Sequence, residues 1–271
     1  MKTFKEKLEK RNNRVRFDEV EHKYYVDGVK IENSVTQLIH HYFEEFNADL
    51  IARKMLKGDN FYSDETKYGK YWPLLKEIDD FETKVQIIKK SWEENGNTQS
   101  ALGTKMHATI EDYINDVGEL YDCPELNYFK AFHEEMSSDG YIPYKTEQIV
   151  WDKDYNLAGS ADMLYTRKEW LVNLPIKVYL VDWKRSKEIK TTSFGGKTGR
   201  GPCAKIKDCN YEHYTLQLNV YQHLLEKHYY LEVVKKSIVV FHPDNDGYLK
   251  YNVRDKAKTA RRICRKVDYD S

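Results

Sequence analysis

No uninterrupted apolar stretch in this 271-residue chain approaches the length of a membrane span, and the opening Met1-Lys2-Thr3-Phe4-Lys5-Glu6 lacks the apolar core of a secretory signal. A soluble, cytoplasmic protein without a membrane partner is the expectation. The chain also lacks net charge, because 44 Lys and Arg oppose 44 Asp and Glu. No overall field therefore draws it to nucleic acid, and any such binding must come from local patches. Cysteine is scarce: Cys123, Cys203, Cys209 and Cys264 are too few and too irregularly spaced for a disulfide framework and fit a reducing compartment. There is no C-x-x-C pair, so Cys203, Cys209 and His213 are only a remote zinc option. A phosphate-binding P-loop is missing too. Gly196-Lys197-Thr198 would need a glycine where Thr191 stands, and no strand leads into it.

What the chain does have is local. Lys184, Arg185, Lys187, Lys190, Lys197, Arg200, Lys205 and Lys207 face a single acid, Glu188, in a segment punctuated by Gly195, Gly196, Gly199 and Gly201. Such a segment reads as a basic loop, mobile without substrate. Two further basic runs, Lys2 to Arg16 and Arg254 to Lys266, read more simply as solvated faces. The length suits one compact unit over 1–271. Within it, 15–33 reads as a β-meander turned by Asp27-Gly28, and 34–140 as a helical part that Ser34 and Gln37 open with a capping box. Residues 57–71 read as a loop, with helices over 81–95 and 99–114 separated by Asn95-Gly96-Asn97. The period then changes to two over 141–253, with strands at 147–152, 157–165, 177–184 and 237–241 and a helix carrying Leu216, Val220 and Leu224. A basic helix or tail closes the chain over 254–271.

The residues that carry chemistry lie on these elements. Asp182 and Lys184 fall on the Val178 and Leu180 face of their strand, at its end. A buried acid there calls for a neutralising cation or lysine. Asp162, closing Gly159-Ser160-Ala161-Asp162, stands on a neighbouring strand, and two carboxylates so placed can hold a hard cation. His107 and Glu111 lie four apart on one helix face. Gly103 within that helix suggests a close approach to its backbone. Gln217 and Tyr221 are one helical turn apart.

In this order, Gly103-Thr104-x-x-His107-x-x-x-Glu111, Gly159-x-x-Asp162, Asp182-x-Lys184 and Gln217-x-x-x-Tyr221 resemble the PD-(D/E)XK nuclease superfamily, in its RecB-type branch. That branch includes phage and viral exonucleases and the mitochondrial genome maintenance type. The opening residues His22, Tyr24, Gly28, Ser34, Val35 and Thr36 are similar to the front of the phage-type enzymes. One departure is Ala161, which stands where the superfamily name has proline.

The resemblance implies an α/β fold: a restriction-endonuclease-like core with a central mixed β-sheet flanked by helices, behind a small β-meander and a helical region. It implies that Asp162, Asp182 and the main-chain carbonyl of Trp183 bind one or two Mg²⁺ or Mn²⁺ ions with His107 as nitrogen ligand. Lys184 would be the catalytic amine, its removal abolishing turnover while sparing the fold. Glu111, Glu147, Gln217 and Tyr221 would be supporting residues. Arg185, Lys187, Lys190, Lys197, Arg200, Lys205 and Tyr214 would contact DNA, with Tyr211, Tyr229 and Tyr230 as further stacking candidates and the basic loop as a lid or arch. The implied reaction is exonucleolytic hydrolysis of DNA, single strands included, to 5′-phosphate and 3′-hydroxyl ends, in the host cytoplasm for a viral or phage protein. The alternatives are a duplex or structure-specific endonuclease and an inactive DNA-binding relative, and the second is disfavoured because every charged site position is occupied. The iron-sulfur cluster of some relatives is not expected, since Cys264 lies far from Cys209. No extended apolar stripe fixes an oligomeric state.

Overall fold

The computed structural model describes residues 2–58, 69–118 and 121–266. The loop expected over 57–71 falls mainly on 59–68, which, like 267–271 of the basic tail, lie outside the described residues. Packing separates two units, residues 1–44 with 106–271, and residues 45–105.

In the first unit a mixed six-stranded sheet runs in the order β4 (Asn33–Ser34), β6 (Leu157–Thr166), β7 (Ile176–Arg185), β8 (Leu231–Phe241) and β9 (Leu249–Asn252), with β5 (Ile142–Asp152) paired to β6. β5–β6, β6–β7 and β8–β9 are antiparallel, whereas β7–β8 and β4–β6 are parallel. The strands expected from alternation are all present, and most are longer. The 153–156 turn is fixed by Asp152, whose Oδ1 accepts from the amides of Asp154 and Tyr155 at 2.9 and 3.2 Å. Lys227 and His228 reach the other oxygen at 2.7 and 2.6 Å. Burial works against that carboxylate's charge, but these partners outweigh it and hold its pKa far below the ordinary range.

β6 is the strand that matters. β5 follows it along one edge, so β4 and β7 must share the other: β4 pairs with Leu157 and Ala158, and β7 with Met163 to Tyr165. On that side residues 159–162 have no ladder partner among the described residues, and the sheet opens into a gap.

The crossover from β7 to parallel β8 passes through α7 (Asn210–His228), as parallel strands require. Its Leu216, Val220 and Leu224 pack on the Val178 and Leu180 face together with Ala260, Ile263 and Cys264 of α8 (Ala257–Lys266). The closing basic run is thus amphipathic, with Arg261, Arg262 and Arg265 left on its exposed side. On the opposite face, Phe129, Phe132 and Met136 of α6 (Pro124–Ser138) cover Tyr179, Val181 and Trp183.

Before the sheet, α1 (Lys2–Asn12) leads into the antiparallel β1 (Val15–Asp18), β2 (Lys23–Val26) and β3 (Val29–Ile31). Asp27 and Gly28 have φ of 52° and 78°, the two positive values that a two-residue type I′ hairpin needs. Part of the opening basic run is used internally: the Arg11 guanidinium lies 3.7 Å from the Trp151 ring, and Arg14 pairs with Asp27 at 2.7 Å. β4 then hands over to α2 (Val35–His40) through the expected capping box, with Ser34 Oγ accepting from the Gln37 amide at 3.1 Å and Gln37 Oε1 from the Ser34 amide at 2.9 Å.

The second unit gathers Ala52, Met55 and Leu56 of α3 (Ala48–Leu56), Leu75 of α4 (Trp72–Leu75), and Val85 and Ile88 of α5 (Phe81–Asn115). Two helices expected over 81–95 and 99–114 are in fact one helix of 35 residues. Glycine in an exposed helix costs only roughly 1 kcal/mol relative to alanine. Packing of Val85 and Ile88 at one end and of Met106 and Ile110 at the other carries the helix through Gly96, although 93–102 are exposed on all sides. Nor is there a close approach at Gly103, where nothing among the described residues lies within 4 Å of an added Cβ.

The basic loop also departs from expectation, because it is tied down. The Gly199 amide donates to Ile206 at 2.9 Å, Arg200 to the Tyr42 carbonyl at 2.8 Å, and Asp208 to Lys197 at 3.0 Å. Cys203, Ile206 and Cys209 are buried beneath it, which suits hydrophobic anchoring better than free movement. A Cβ at Gly199 would sit 2.7 Å from that of Cys203.

Candidate metal centre

At the gap in β6 the ladder to β7 ends with Met163 opposite Val181, and the next inward amide of β7, that of Trp183, donates to Asp162 Oδ2 at 2.7 Å. A strand residue's N–H and C=O point to the same neighbour, so the Trp183 carbonyl faces this gap as well. Across β5 the ladder is interrupted too. Thr146 pairs with Met163 and Gln148 with Ala161, but Glu147, between them, has φ of 41°. That conformation costs a glutamate on the order of 1–3 kcal/mol. Ser160 Oγ donates to Glu147 Oε2 at 2.7 Å.

From the last turns of α5, His107 Nδ1 approaches Glu147 Oε1 at 3.5 Å and Asp162 Oδ2 at 3.9 Å. His107, Glu147 and Asp162 each offer one ligand atom within 4.8 Å of the others. Asp182 stands beside them, its side chain 1% exposed and its Oδ2 2.6 Å from Lys184 Nζ. Neither Asp182 oxygen accepts a well-formed hydrogen bond among the described residues.

Three carboxylates, the buried Asp162 and Asp182 and the half-buried Glu147, perturb one another. Burial and the adjacent Asp182 push Asp162 up to about 8. Burial disfavours the charged His107, but Asp162 and Glu147 outweigh it and raise the imidazole's pKa. Glu147 is lowered, because His107 and Ser160 overcome its desolvation. Lys184 is raised in spite of burial by Asp182 and then Asp162. An excess of acid with unspent carboxylate oxygens and one imidazole is a donor set that fits Mg²⁺ or Mn²⁺.

Tyr221 and Gln217 frame the gap from α7, the Gln217 amide donating to the Tyr221 hydroxyl at 3.0 Å. The sequence could not explain Gly159, but the geometry does: a Cβ there would lie 2.8 Å from Tyr221 Cε1 and 3.0 Å from Val35. Gly159→Ala should therefore displace the Tyr221 ring and destabilise the fold by about 1–3 kcal/mol, the usual range for overpacking. Thermal melting checks this, and unchanged melting would remove Tyr221 as the reason for the glycine.

The expected site residues thus divide. His107, Asp162, Asp182, Lys184, Gln217 and Tyr221 surround the gap, with Glu147 completing the three-residue ligand set. Glu111 turns to Thr146, its pKa raised by burial and by the charge of Glu147. Tyr24 of β2 had no role in the sequence reading. Its pKa is raised by burial and then by Glu147 and Asp162, which places its hydroxyl among the acids. Alternation puts Tyr24 on the inward face with Val26, and that face packs on Trp151 of β5 and Ala158 of β6.

The presumed DNA contacts are less uniform. Arg185 points to the α6 face and pairs with Glu125 at 2.7 Å. Lys197 pairs with Glu44 at 2.7 Å, Lys187 lies 3.5 Å from Asp244, and Arg200 donates to the His41 carbonyl at 2.8 Å. Lys190 and Lys205 are exposed with no ion pair among the described residues. The Tyr214 ring lies 4.8 Å from Lys184 Nζ. Tyr211 and Tyr229 instead donate to the main-chain carbonyls of Asn252 and Ile149 at 2.7 and 3.0 Å. The zinc option does not form, since Cys203, Cys209 and His213 make no cluster of ligand atoms among the described residues.

No family model and no curated protein matches the chain. A solved structure titled "Crystal structure of SSO0001" is similar at 12% identity over 98% of this chain and 82% of that one, with a TM-score of 0.29, too low to support any argument. Among the described residues no helix is long and apolar enough to cross a membrane.

Proposed function

We propose that this protein is a metal-dependent DNA nuclease of the PD-(D/E)XK type, with a restriction-endonuclease-like core, acting as an exonuclease on DNA ends. The observation that carries the reading is the buried Asp182–Lys184 pair at 2.6 Å beside Asp162, Glu147 and His107, in the gap of one strand edge. A structural ion pair would be expected to have its remaining carboxylate capacity filled by donors, and Asp182 has not.

In this reading Asp162, Asp182 and His107, with Glu147 and the Trp183 carbonyl at hand, would hold Mg²⁺ or Mn²⁺. When bound, such an ion supplies a more acidic water and polarises a phosphoryl oxygen. The chain's own part is positional and electrostatic. Lys184 stays protonated in its acidic surroundings and offers donors to the negative charge that grows on the phosphate during attack. His107 and Glu147 hold one another in place at the rim. Tyr221, braced by Gln217, excludes water from the Gly159 side of the gap.

The test compares linear with closed circular DNA, single- and double-stranded, with Mg²⁺, Mn²⁺ or EDTA. Linear substrates should be degraded only with metal, and Asp182→Ala should lose at least about 10²-fold in rate. Cleavage of closed circles would replace the exonuclease by an endonuclease, and cleavage that survives Asp182→Ala would end the catalytic assignment.

A further inference from the structure

Beside the gap, α2 and the first turns of α7 line a half-open cavity of about 120 Å³. It is far below the roughly 300 Å³ or more of a drug-sized pocket, and of the size class of a single small ring.

Two of its walls belong to the site already described: Tyr214, which lies against Lys184, and Gln217, which holds Tyr221. The other polar walls are Thr36, His40, Asn210 and His213. No lysine, arginine or carboxylate side chain lines the space, so a phosphate entering it would meet no fixed positive charge. Burial lowers the pKa of His213, and Asp208, 3.0 Å from its Nε2, does not restore it. Among the described residues the side chains of Thr36, Asn210 and Tyr214 make no hydrogen bond, and Gln217 keeps its Oε1 unused. Amide, hydroxyl and imidazole groups complement the donors and acceptors of a base edge, while tyrosine and histidine rings offer flat faces for stacking.

We infer that this cavity receives one unpaired nucleobase of the strand being cut, next to the phosphate that Lys184 serves. The inference rests on the nuclease reading and gives it a substrate class: single-stranded DNA, or a duplex end whose last pair has opened. A paired base could not enter, because its edge is already used and its faces are stacked.

The test walks a single abasic residue along a short oligothymidine and measures binding to the full chain by fluorescence anisotropy, with Ca²⁺ in place of the catalytic ion. Loss of the base at one position should weaken binding about tenfold, whereas neighbouring positions change it little. Asn210→Ala, at the exposed start of α7, should weaken binding of the intact oligomer and flatten the position dependence. Equal affinity for every abasic position would overturn the inference while leaving the nuclease reading in place. So would affinity that follows a terminal phosphate rather than a base. No binding to any DNA, together with no metal-dependent cleavage, would remove the nuclease reading and the inference with it.

Discussion

Lys184→Ala is expected to reduce cleavage by at least about 10²- to 10³-fold, the usual result of deleting a donor aimed at developing negative charge, and also to destabilise the metal-free protein. The second effect was not expected from sequence, where removal of the lysine should spare the fold. The side chain of Lys184 is only 19% exposed and that of Asp182 1%, and the ammonium is the one ion-pair partner of Asp182 among the described residues. Deleting it leaves a buried carboxylate uncompensated, at a cost of about 3–5 kcal/mol. A divalent cation should restore much of that by occupying the same acids. Melting curves in EDTA and in Mn²⁺ check this: the variant should melt well below the parent in EDTA, and the two should draw together in metal. Equal melting in EDTA would show that the Lys184–Asp182 pair does not support the fold, and the electrostatic account of the site would fail.

The second large effect has the opposite sign. Asp162→Asn should stabilise the metal-free protein while abolishing turnover. Burial and Asp182 lift the folded pKa of Asp162 from an ordinary 3.8 to about 8. An acid whose folded pKa is raised contributes its stability below the unfolded value, and that contribution is lost as pH rises from about 4 through about 8. Asparagine keeps an acceptor for the Trp183 amide and removes the repulsion with Asp182. The difference in Tm between variant and parent, measured in EDTA, should therefore be small at pH 4, grow as pH rises and level off above pH 8. In Mn²⁺ the order should reverse, because only the parent holds the ion. A difference independent of pH would show that Asp162 is not under electrostatic stress.

How much of this could be read from the chain follows from the range of each interaction. The hairpin at Asp27-Gly28, the capping box of Ser34 and Gln37, and the two-sided face of β7 are settled within a few residues, and sequence alone placed them correctly. Asp162, Asp182, Lys184, His107, Gln217 and Tyr221 were found by their order along the chain and meet around one gap. Three features were hidden because they depend on tertiary contact. Packing at both ends carries α5 through Asn95-Gly96-Asn97, against the local break signal. Glu147, expected only in support, stands level with Asp162 between the Thr146–Met163 and Gln148–Ala161 pairs as a direct ligand candidate, and no residue pattern signals the φ of 41° it adopts there. The basic loop looks mobile in composition, yet Cys203, Ile206 and Cys209 anchor it from below.

The shared edge of β6 bears on how the molecule matures. Residues 33–34, 159–162, 181–183 and 221 must all converge before the opening between β4 and β7 exists, so the centre is made of contacts that span most of the chain. Contacts of such sequence separation are the slow ones, since loop closure must come before any gain from them. Ligand groups that come together only after the topology is complete cannot be assembled by a nascent or half-collapsed chain. On the nuclease reading, competence to cut would then arrive last, and a misfolded copy would be inert toward nucleic acid.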